Sequence, residues 1–189
     1  MKLLFASDLH GSAAAATAVM NRVKEENADR LILLGDLLYH GPRNPLPEGH
    51  DPMKTAAILN ECPVPVLGVR GNCDAEIDQV LLQFPMMPDY MLLLTEQGTG
   101  LFITHGHLFH EQQLPPHCAG DVMIHGHTHV HGVFQAGDMT VLNPGSAAMP
   151  KENQPRSYMV YENGVFEIKS LESGSVLKRF TVPAEGADA

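Results

Sequence analysis

Hydrophobic positions in the first half of the chain fall into short continuous runs, each followed by an amphipathic or polar stretch. This pattern predicts buried strands alternating with helices. Lys2–Ser7 is the first run, and Ser12 then stands as N-cap to an Ala-rich stretch that reads as helix to Glu26. Arg30–Gly35 (R-L-I-L-L-G) predicts a strand buried on both faces, with Asp36 at its C-terminal end. Leu37–His50 holds three prolines, and three glycines if Gly35 is counted, so it reads as a loop with room for a functional role. Asp51-Pro52 caps a second helix to about Glu61, Val64–Val69 is a strand ending at Gly71-Asn72, and Ala75–Gln83 reads as helix. Strands follow near Tyr90–Thr95 and Leu101–Thr104. Beyond Asp121 the pattern changes to short strands with turn signals: Asp121–Ile124, Val130–Ala136, Thr140–Leu142, Ser157–Tyr161 and Phe166–Leu171, with Asn163-Gly164 a hairpin turn. The order is βαβαβ first and mostly β after.

Composition narrows the picture. A chain of 189 residues, 44% hydrophobic, matches one domain, expected over residues 1–182, that buries on the order of 70% of its unfolded surface. Pro183–Ala189 reads as a small mobile tail. No apolar run approaches the ~20 residues needed to span a bilayer, and Leu3–Ala6 is too short for the core of a signal peptide, so a cytoplasmic protein without membrane contact is expected. Cys62, Cys73 and Cys118 form no C-x-x-C pair and read as free thiols in a reducing compartment. A net charge of -10 argues against stable nucleic-acid binding and favours a small phosphate ester as partner. The region of Met86-Met87-Pro88 and Tyr90-Met91 is read as exposed apolar surface that permits a homo-oligomer.

The candidate chemistry lies at the strand ends. Asp8 and His10 are two apart, so an extended backbone turns both side chains the same way and one cation can be chelated. Taken singly, Asp8, Asp36 and Asn72 read equally well as caps or turn residues. Position decides: ligands of open α/β sheets bind beyond the carboxyl ends of strands, where Asp8, Asp36, Asn72 and His105 all fall. Eight of the eleven histidines lie between His105 and His131. A solvated histidine-rich face explains their abundance but not Gly106 and Gly126, which relieve the backbone where imidazoles crowd one point. His105, His127 and His129 are therefore read as ligands, and His125 and His131 as supports that hydrogen-bond to them. Imidazole and oxygen donors without thiolate suit Mn, Zn, Fe or Ni, with Mn the expected metal.

The phrases Asp8-Leu9-His10, Gly35-Asp36, Gly71-Asn72-Cys73-Asp74, His105-Gly106-His107 and Gly126-His127-Thr128-His129 resemble the five sequence blocks of the calcineurin-like metallophosphoesterases. Order and spacing match over roughly residues 3–146, and Asn143-Pro144-Gly145-Ser146 is similar to a turn that follows the last block in the small bacterial phosphodiesterases of that family. The resemblance implies an α/β fold, a four-layer α/β/β/α sandwich of two mixed sheets flanked by helices. It implies one metal held by Asp8, His10, Asp36 and His129, a second held by Asp36, Asn72, His105 and His127, and Asp36 as the bridge. It also implies hydrolysis of a phosphate diester by a hydroxide that bridges the two divalent ions, with Asn72 helping to neutralise the phosphoryl oxygens. Other outcomes of the same fold are a phosphomonoesterase or nuclease and a non-catalytic protein-interaction scaffold such as the retromer subunit, although a scaffold predicts lost ligands and all seven positions are filled here. One position departs from the pattern. Where many relatives carry a histidine after Asn72, this chain has Cys73, read either as a small packing residue or as a weak proton donor. His107 is then either the replacement acid or a substrate-loop residue. Asp74, which orients that histidine in relatives, is read here as a catalytic-site residue or as a cap for the helix at Ala75.

Overall fold

The computed structural model describes residues 1–183, so the expected tail lies, beyond Pro183, outside the described residues. β1 (Lys2–Ala6) and β2 (Arg30–Leu33) divide their apolar side chains between two interiors. Leu4, Ala6, Leu31 and Leu33 face a helical layer, whereas Leu3, Phe5, Ile32 and the adjoining Leu34 face a second sheet. Both faces are covered, which is why these runs are continuous rather than alternating.

The helical layer consists of α1 (Ala13–Glu25), α2 (Pro52–Asn60) and α3 (Glu76–Leu81). The two expected caps are in place: Ser12 Oγ accepts from the Ala15 amide at 3.1 Å, and Asp51 Oδ1 from the Lys54 amide at 3.0 Å. α3 ends before Gln83 because the chain turns inward there. Leu82, Phe84 and Met86 are buried against the first sheet, and the Gln79 amide donates to the Leu82 and Phe84 carbonyls. Met86 is thus core, which corrects its reading as exposed surface.

β3 (Val66–Gly68), β9 (Ser157–Glu162), β10 (Val165–Ser170) and β11 (Val176–Thr181) complete a six-stranded sheet of order β11-β10-β9-β1-β2-β3. β1, β2 and β3 are parallel, with Phe5 opposite Ile32 and Ile32 opposite Leu67, and β9 runs antiparallel to β1. The second sheet has five strands, β4 (Tyr90–Leu94), β5 (Gly100–Thr104), β6 (Val122–Ile124), β8 (Met139–Asn143) and β7 (Gly132–Ala136), in that spatial order. Its centre, β5-β6-β8, is parallel. Between the sheets lie Leu3, Phe5, Ile32, Ile103, Ile124, Leu142, Met159, Tyr161 and Phe166.

The sandwich of two mixed sheets is the expected fold, with a different outermost layer. Among the described residues no helix covers the outer face of the second sheet. Phe109 and Leu114, from the loop that ends in Pro115-Pro116, lie over Phe102, Met123, Met139 and Val141 instead, because two successive prolines cannot continue a helix. On the edge strand β4, Tyr90, Leu92 and Leu94 are exposed. β11 was absent from the sequence reading. Its apolar Leu177 and Phe180 stand three apart, out of step with a strand, and a register shift at Ile168/Lys169 accommodates them.

Candidate metal centre

The parallel strands of both sheets end on one edge of the sandwich, and the loops that leave them carry all seven candidate ligands. Asp8 and His10 follow β1, Asp36 follows β2, Asn72 follows β3, His105 follows β5, and His127 and His129 follow β6. The backbone there is held in an unusual form. Of the nine non-glycine residues with positive φ among the described residues, five are Asp8 (56°), His10 (48°), Asp36 (54°), His127 (65°) and His129 (62°). Each such residue costs on the order of 1–3 kcal/mol unless its surroundings fix it, and the concentration of strain marks a preformed site. Two glycines allow the loops to meet. A Cβ on Gly71 would stand 2.1 Å from Asp36 Oδ1, and one on Gly126 would stand 1.9 Å from Ser7 Oγ.

The side chains form two groups that share Asp36. In the first, His10 Nε2 lies 3.3 Å from His129 Nε2, 3.6 Å from Asp8 Oδ1 and 3.7 Å from Asp36 Oδ2, and His129 Nε2 lies 3.3 Å from Asp8 Oδ1. In the second, His105 Nε2 lies 3.0 Å from Asn72 Oδ1, 3.2 Å from His127 Nδ1 and 3.5 Å from Asp36 Oδ2. Atoms bound about 2.1 Å from one ion stand about 3.0–3.4 Å apart, close to this spacing.

Tautomers sharpen the point. The Nδ1 atoms of His10, His129 and His105 face the carbonyls of Tyr39 (2.9 Å), Met149 (2.6 Å) and Leu34 (2.7 Å), so in each ring Nδ1 carries the hydrogen. In the neutral rings every Nε2 then presents a lone pair to other lone pairs. Asp8 Oδ1, fully buried beside two such nitrogens, has no hydrogen-bond partner among the described residues. Acceptors converging without a donor call for a cation at their centre.

The electrostatics agree. Burial works against the Asp8 carboxylate, yet His10 and His129 outweigh it and hold it well below its ordinary range; burial likewise opposes Asp36, which His105 pulls down. Burial opposes the imidazolium of His105, but Asp36 and Asp8 raise it to about 9, whereas burial and His105 together press His127 to about 4. Without metal, one proton serves this pair and takes the place of a cation.

Other residues hold the ligands in place. Asp74 is buried, and its Oδ2 accepts from the amides of Asp36 (2.8 Å) and Gly71 (2.7 Å) while Oδ1 accepts from Leu37 (2.8 Å), which ties the loops after β2 and β3 together. Burial pushes its carboxyl up to about 6 against these three amides. Asp74 therefore does not cap α3; Asp78 Oδ2 does, accepting from the Ala75 amide at 2.9 Å. Asn143 donates to Gly126 O (2.8 Å) and Thr128 Oγ1 (3.0 Å), and Ser146 Oγ donates to Asp8 O at 2.9 Å, so the Asn143–Ser146 turn braces two ligand loops. His125 points away from the ligands to Glu111, 3.0 Å away. His131 has no hydrogen-bond partner at Nδ1 among the described residues and is tied through its backbone to Gln154.

Cys73 and His107 flank the ligands without joining either group. Cys73 Sγ lies within 4.8 Å of ligand atoms of His10 and Asp36, so it lines the site rather than packing in the core, and burial followed by Asp36 pushes its thiol up to about 12. The His107 ring is centred 5.4 Å from that of His105, and burial lowers its pKa. The ligands open into a cavity of about 350 Å³ lined by His10, Asp36, Asn72, His127 and His129 together with Arg43, Asn44 and Lys151. These last three were missed by the sequence reading. Their only signal was to be a lone cation or amide in a loop leaving a strand end.

Comparison with known proteins places this geometry. The model of the calcineurin-like phosphoesterase superfamily domain matches residues 1–164. The chain is 44% identical over 182 residues to phosphodiesterase YfcE of Escherichia coli strain K12, covering 96% of this chain and 98% of that one. It is 26% identical over 167 residues to the probable metallophosphoesterase YsnB of Bacillus subtilis, covering 85% and 83% of the two chains. The solved structure of YfcE from E. coli superposes with a TM-score of 0.92 at 43% identity, over 97% of this chain and 100% of that one. Zinc-bound Vps29 from Entamoeba histolytica, at 21% identity, TM-score 0.62 and coverage of 97% and 100%, shares the fold. By sequence and by architecture, this chain belongs to the calcineurin-like phosphoesterase superfamily.

Proposed function

We propose that this chain is a metal-dependent phosphodiesterase with a dinuclear centre of two manganese ions. Asp8, His10, Asp36 and His129 would hold one, and Asp36, Asn72, His105 and His127 the other. The observation that carries the reading is Asp36 Oδ2, set 3.7 Å from the donor nitrogen of His10 and 3.5 Å from that of His105, where one carboxylate oxygen serves two groups of donors. The candidate donors are imidazole nitrogens and carboxylate or amide oxygens, a set that manganese accepts and that copper(I) or an iron–sulfur cluster does not favour. When bound, such a pair of ions supplies Lewis acidity and an activated water.

The protein's own groups do the rest. Asn72 Nδ2, 3.3 Å from Cys73 Sγ, stands where it can donate to a phosphoryl oxygen once substrate displaces that weak contact. Arg43 and Lys151 bring positive charge to the mouth. The Cys73 thiol, at about 12, is a poor acid at neutral pH, so esters of acidic alcohols should be the better substrates. His107, two residues from His105 with its ring centred 5.4 Å away and its pKa lowered by burial, is an imidazole beside the site not used as a ligand, and would accept or return a proton at the leaving oxygen. The same reading makes the protein a cytoplasmic enzyme for a small ester rather than a nucleic-acid binder, in keeping with a net charge of -10 and three free cysteines. Among the described residues no helix is long and apolar enough to cross a membrane.

The test is hydrolysis of bis-p-nitrophenyl phosphate and of p-nitrophenyl phosphate after chelation and after adding back manganese. Manganese-restored activity on the diester, well above that on the monoester, is expected. Activity that survives chelation, or a preference for the monoester, would refute the proposal.

A further inference from the structure

Arg43 and Lys151 enter the metal cavity from different walls. Arg43 rides on a turn in which the Asn44 amide group donates to His40 O (2.9 Å) and the Asn44 backbone to Gly41 O (3.4 Å). That turn rests on Cys73, since a Cβ on Gly41 would stand 3.1 Å from its Sγ. Lys151 is fixed on the other side by its backbone amide, which donates to the carbonyl of His129 at 3.1 Å. Five of the twelve Lys and Arg side chains, those of Lys2, Arg22, Arg156, Lys169 and Arg179, pair with carboxylates. Arg43 and Lys151 form no ion pair among the described residues, although the chain carries an excess of acid.

The charge at the site shows what these cations could be for. Two divalent ions against the carboxylates of Asp8 and Asp36 and one hydroxide would leave about one positive charge, already enough to match the single negative charge of a phosphodiester. Two further cations over the same cavity have nothing to neutralise unless the substrate brings more negative charge. Space permits this: the five heavy atoms of a phosphoryl group, at roughly 30 Å³ for each water-sized group, leave more than half of the cavity of about 350 Å³ for the ions and the two ester groups.

We propose that Arg43 and Lys151 form an anion clamp that selects phosphodiesters carrying a second phosphate on the alcohol that stays attached to phosphorus. The guanidinium of Arg43 offers a planar pair of donors to phosphate oxygens, and Lys151 a mobile point charge. The inference rests on the phosphodiesterase reading above and adds the class of substrate.

The experiment compares ethyl p-nitrophenyl phosphate with its analogue bearing a terminal phosphate on the ethyl group. In both, water adds to phosphorus, the bond to the aryl oxygen breaks, and p-nitrophenolate leaves. The leaving group being the same, the ratio of kcat/KM reports on the retained side alone. The manganese-loaded wild-type chain should prefer the charged ester on the order of 10–100-fold, mostly through KM. Arg43→Gln and Lys151→Gln should each cut the preference severalfold, the double variant should bring it near unity, and Arg43→Lys should restore part of it. Both residues are exposed, so folding is safe, and metal content by mass spectrometry should match wild type throughout. A wild type without the preference, or a double variant that keeps it, overturns the clamp while the diesterase reading stands. Failure of the wild type to hydrolyse either ester overturns both.

Discussion

Replacing Asp74 by Asn tests whether the two loops it joins hold the metal ligands in place. The carboxylate accepts three amides, two on one oxygen and one on the other. An asparagine oriented to keep the Asp36 and Gly71 amides turns its own NH₂ group against the Leu37 amide. One charge-assisted bond is lost outright and its buried donor left unsatisfied, which costs about 1–3 kcal/mol. The two bonds that survive fall from charged to neutral strength, at about 1 kcal/mol each. The sum is about 3–5 kcal/mol, or roughly 6–20 °C in Tm for a domain of this size, less the relief of no longer burying a charge that the raised carboxyl pKa of Asp74 implies. Because Asp36 and Asn72 lie on the joined loops, the loss should be larger with manganese present than in chelator, where no binding energy depends on their placement. Melting curves in both conditions, with metal content measured beside them, check the argument. A variant that keeps its metal and gains as much Tm from manganese as wild type does would refute it, since the loops would then hold Asp36 and Asn72 without the carboxylate.

Asp36→Asn should strip metal from both groups and abolish most activity, because its Oδ2 faces His10 and His105 alike; two metals retained at full rate would disprove the sharing. His129→Ala and His127→Ala should each lower metal content by about one ion of the pair at saturating manganese, since each ring belongs to one group only, and unchanged content in both variants would dissolve the two-group picture. Cys73→His puts an imidazole at the site wall and should raise the rate for alkyl phosphodiesters by up to ~10²–10⁴-fold while changing p-nitrophenyl esters little; an unchanged ratio with metals bound would mean that position 73 does not address the leaving group. Burial would raise the carboxyl of Glu26, but Lys169 and the Tyr158 hydroxyl hold it below 4.5, so its contribution to stability is present above about pH 4.5 and fades as pH falls through the lowered value. In chelator, the Tm gap between wild type and Glu26→Gln should accordingly narrow in acid, and a gap that widens there would reverse the sign.

The ligands were legible because each stands at the end of an apolar run beside a glycine or at a spacing of two, so strand geometry and backbone freedom both leave a trace in the sequence. The proposed partition of the seven candidate ligands into two groups came from resemblance alone, and three-dimensional distances are compatible with it. Of the two readings of Asp74, the helix cap fails, since an acid before Ala75 looks like one while its partners are the amide of Gly71 and, far away in the chain, those of Asp36 and Leu37. Arg43 and Lys151 left no pattern, because a cation that acts singly over a cavity has neither period nor spacing. β11 escaped for the opposite reason: its period is broken by a bulge that only the neighbouring strand reveals. The cover of Phe109 and Leu114 over Phe102 and Met123 shows that a loop can occupy the place of a helix when two aromatic or aliphatic anchors suffice.

The candidate ligands are divided between two separate sheets, Asp8, His10, Asp36 and Asn72 following strands of one and His105, His127 and His129 following strands of the other. The relative offset of the sheets is set by the side chains that interlock between them, among them Phe5, Ile32, Ile103, Ile124 and Phe166, none of which approaches the metal groups as a donor. That interior works as a gauge block: its thickness fixes the separation of the two halves of the centre. A methyl group removed there, as in Ile103→Val, should therefore be felt in the affinity of the centre as well as in the melting temperature, and a random search for variants with altered metal preference should return residues from the middle of the sandwich as well as from its rim.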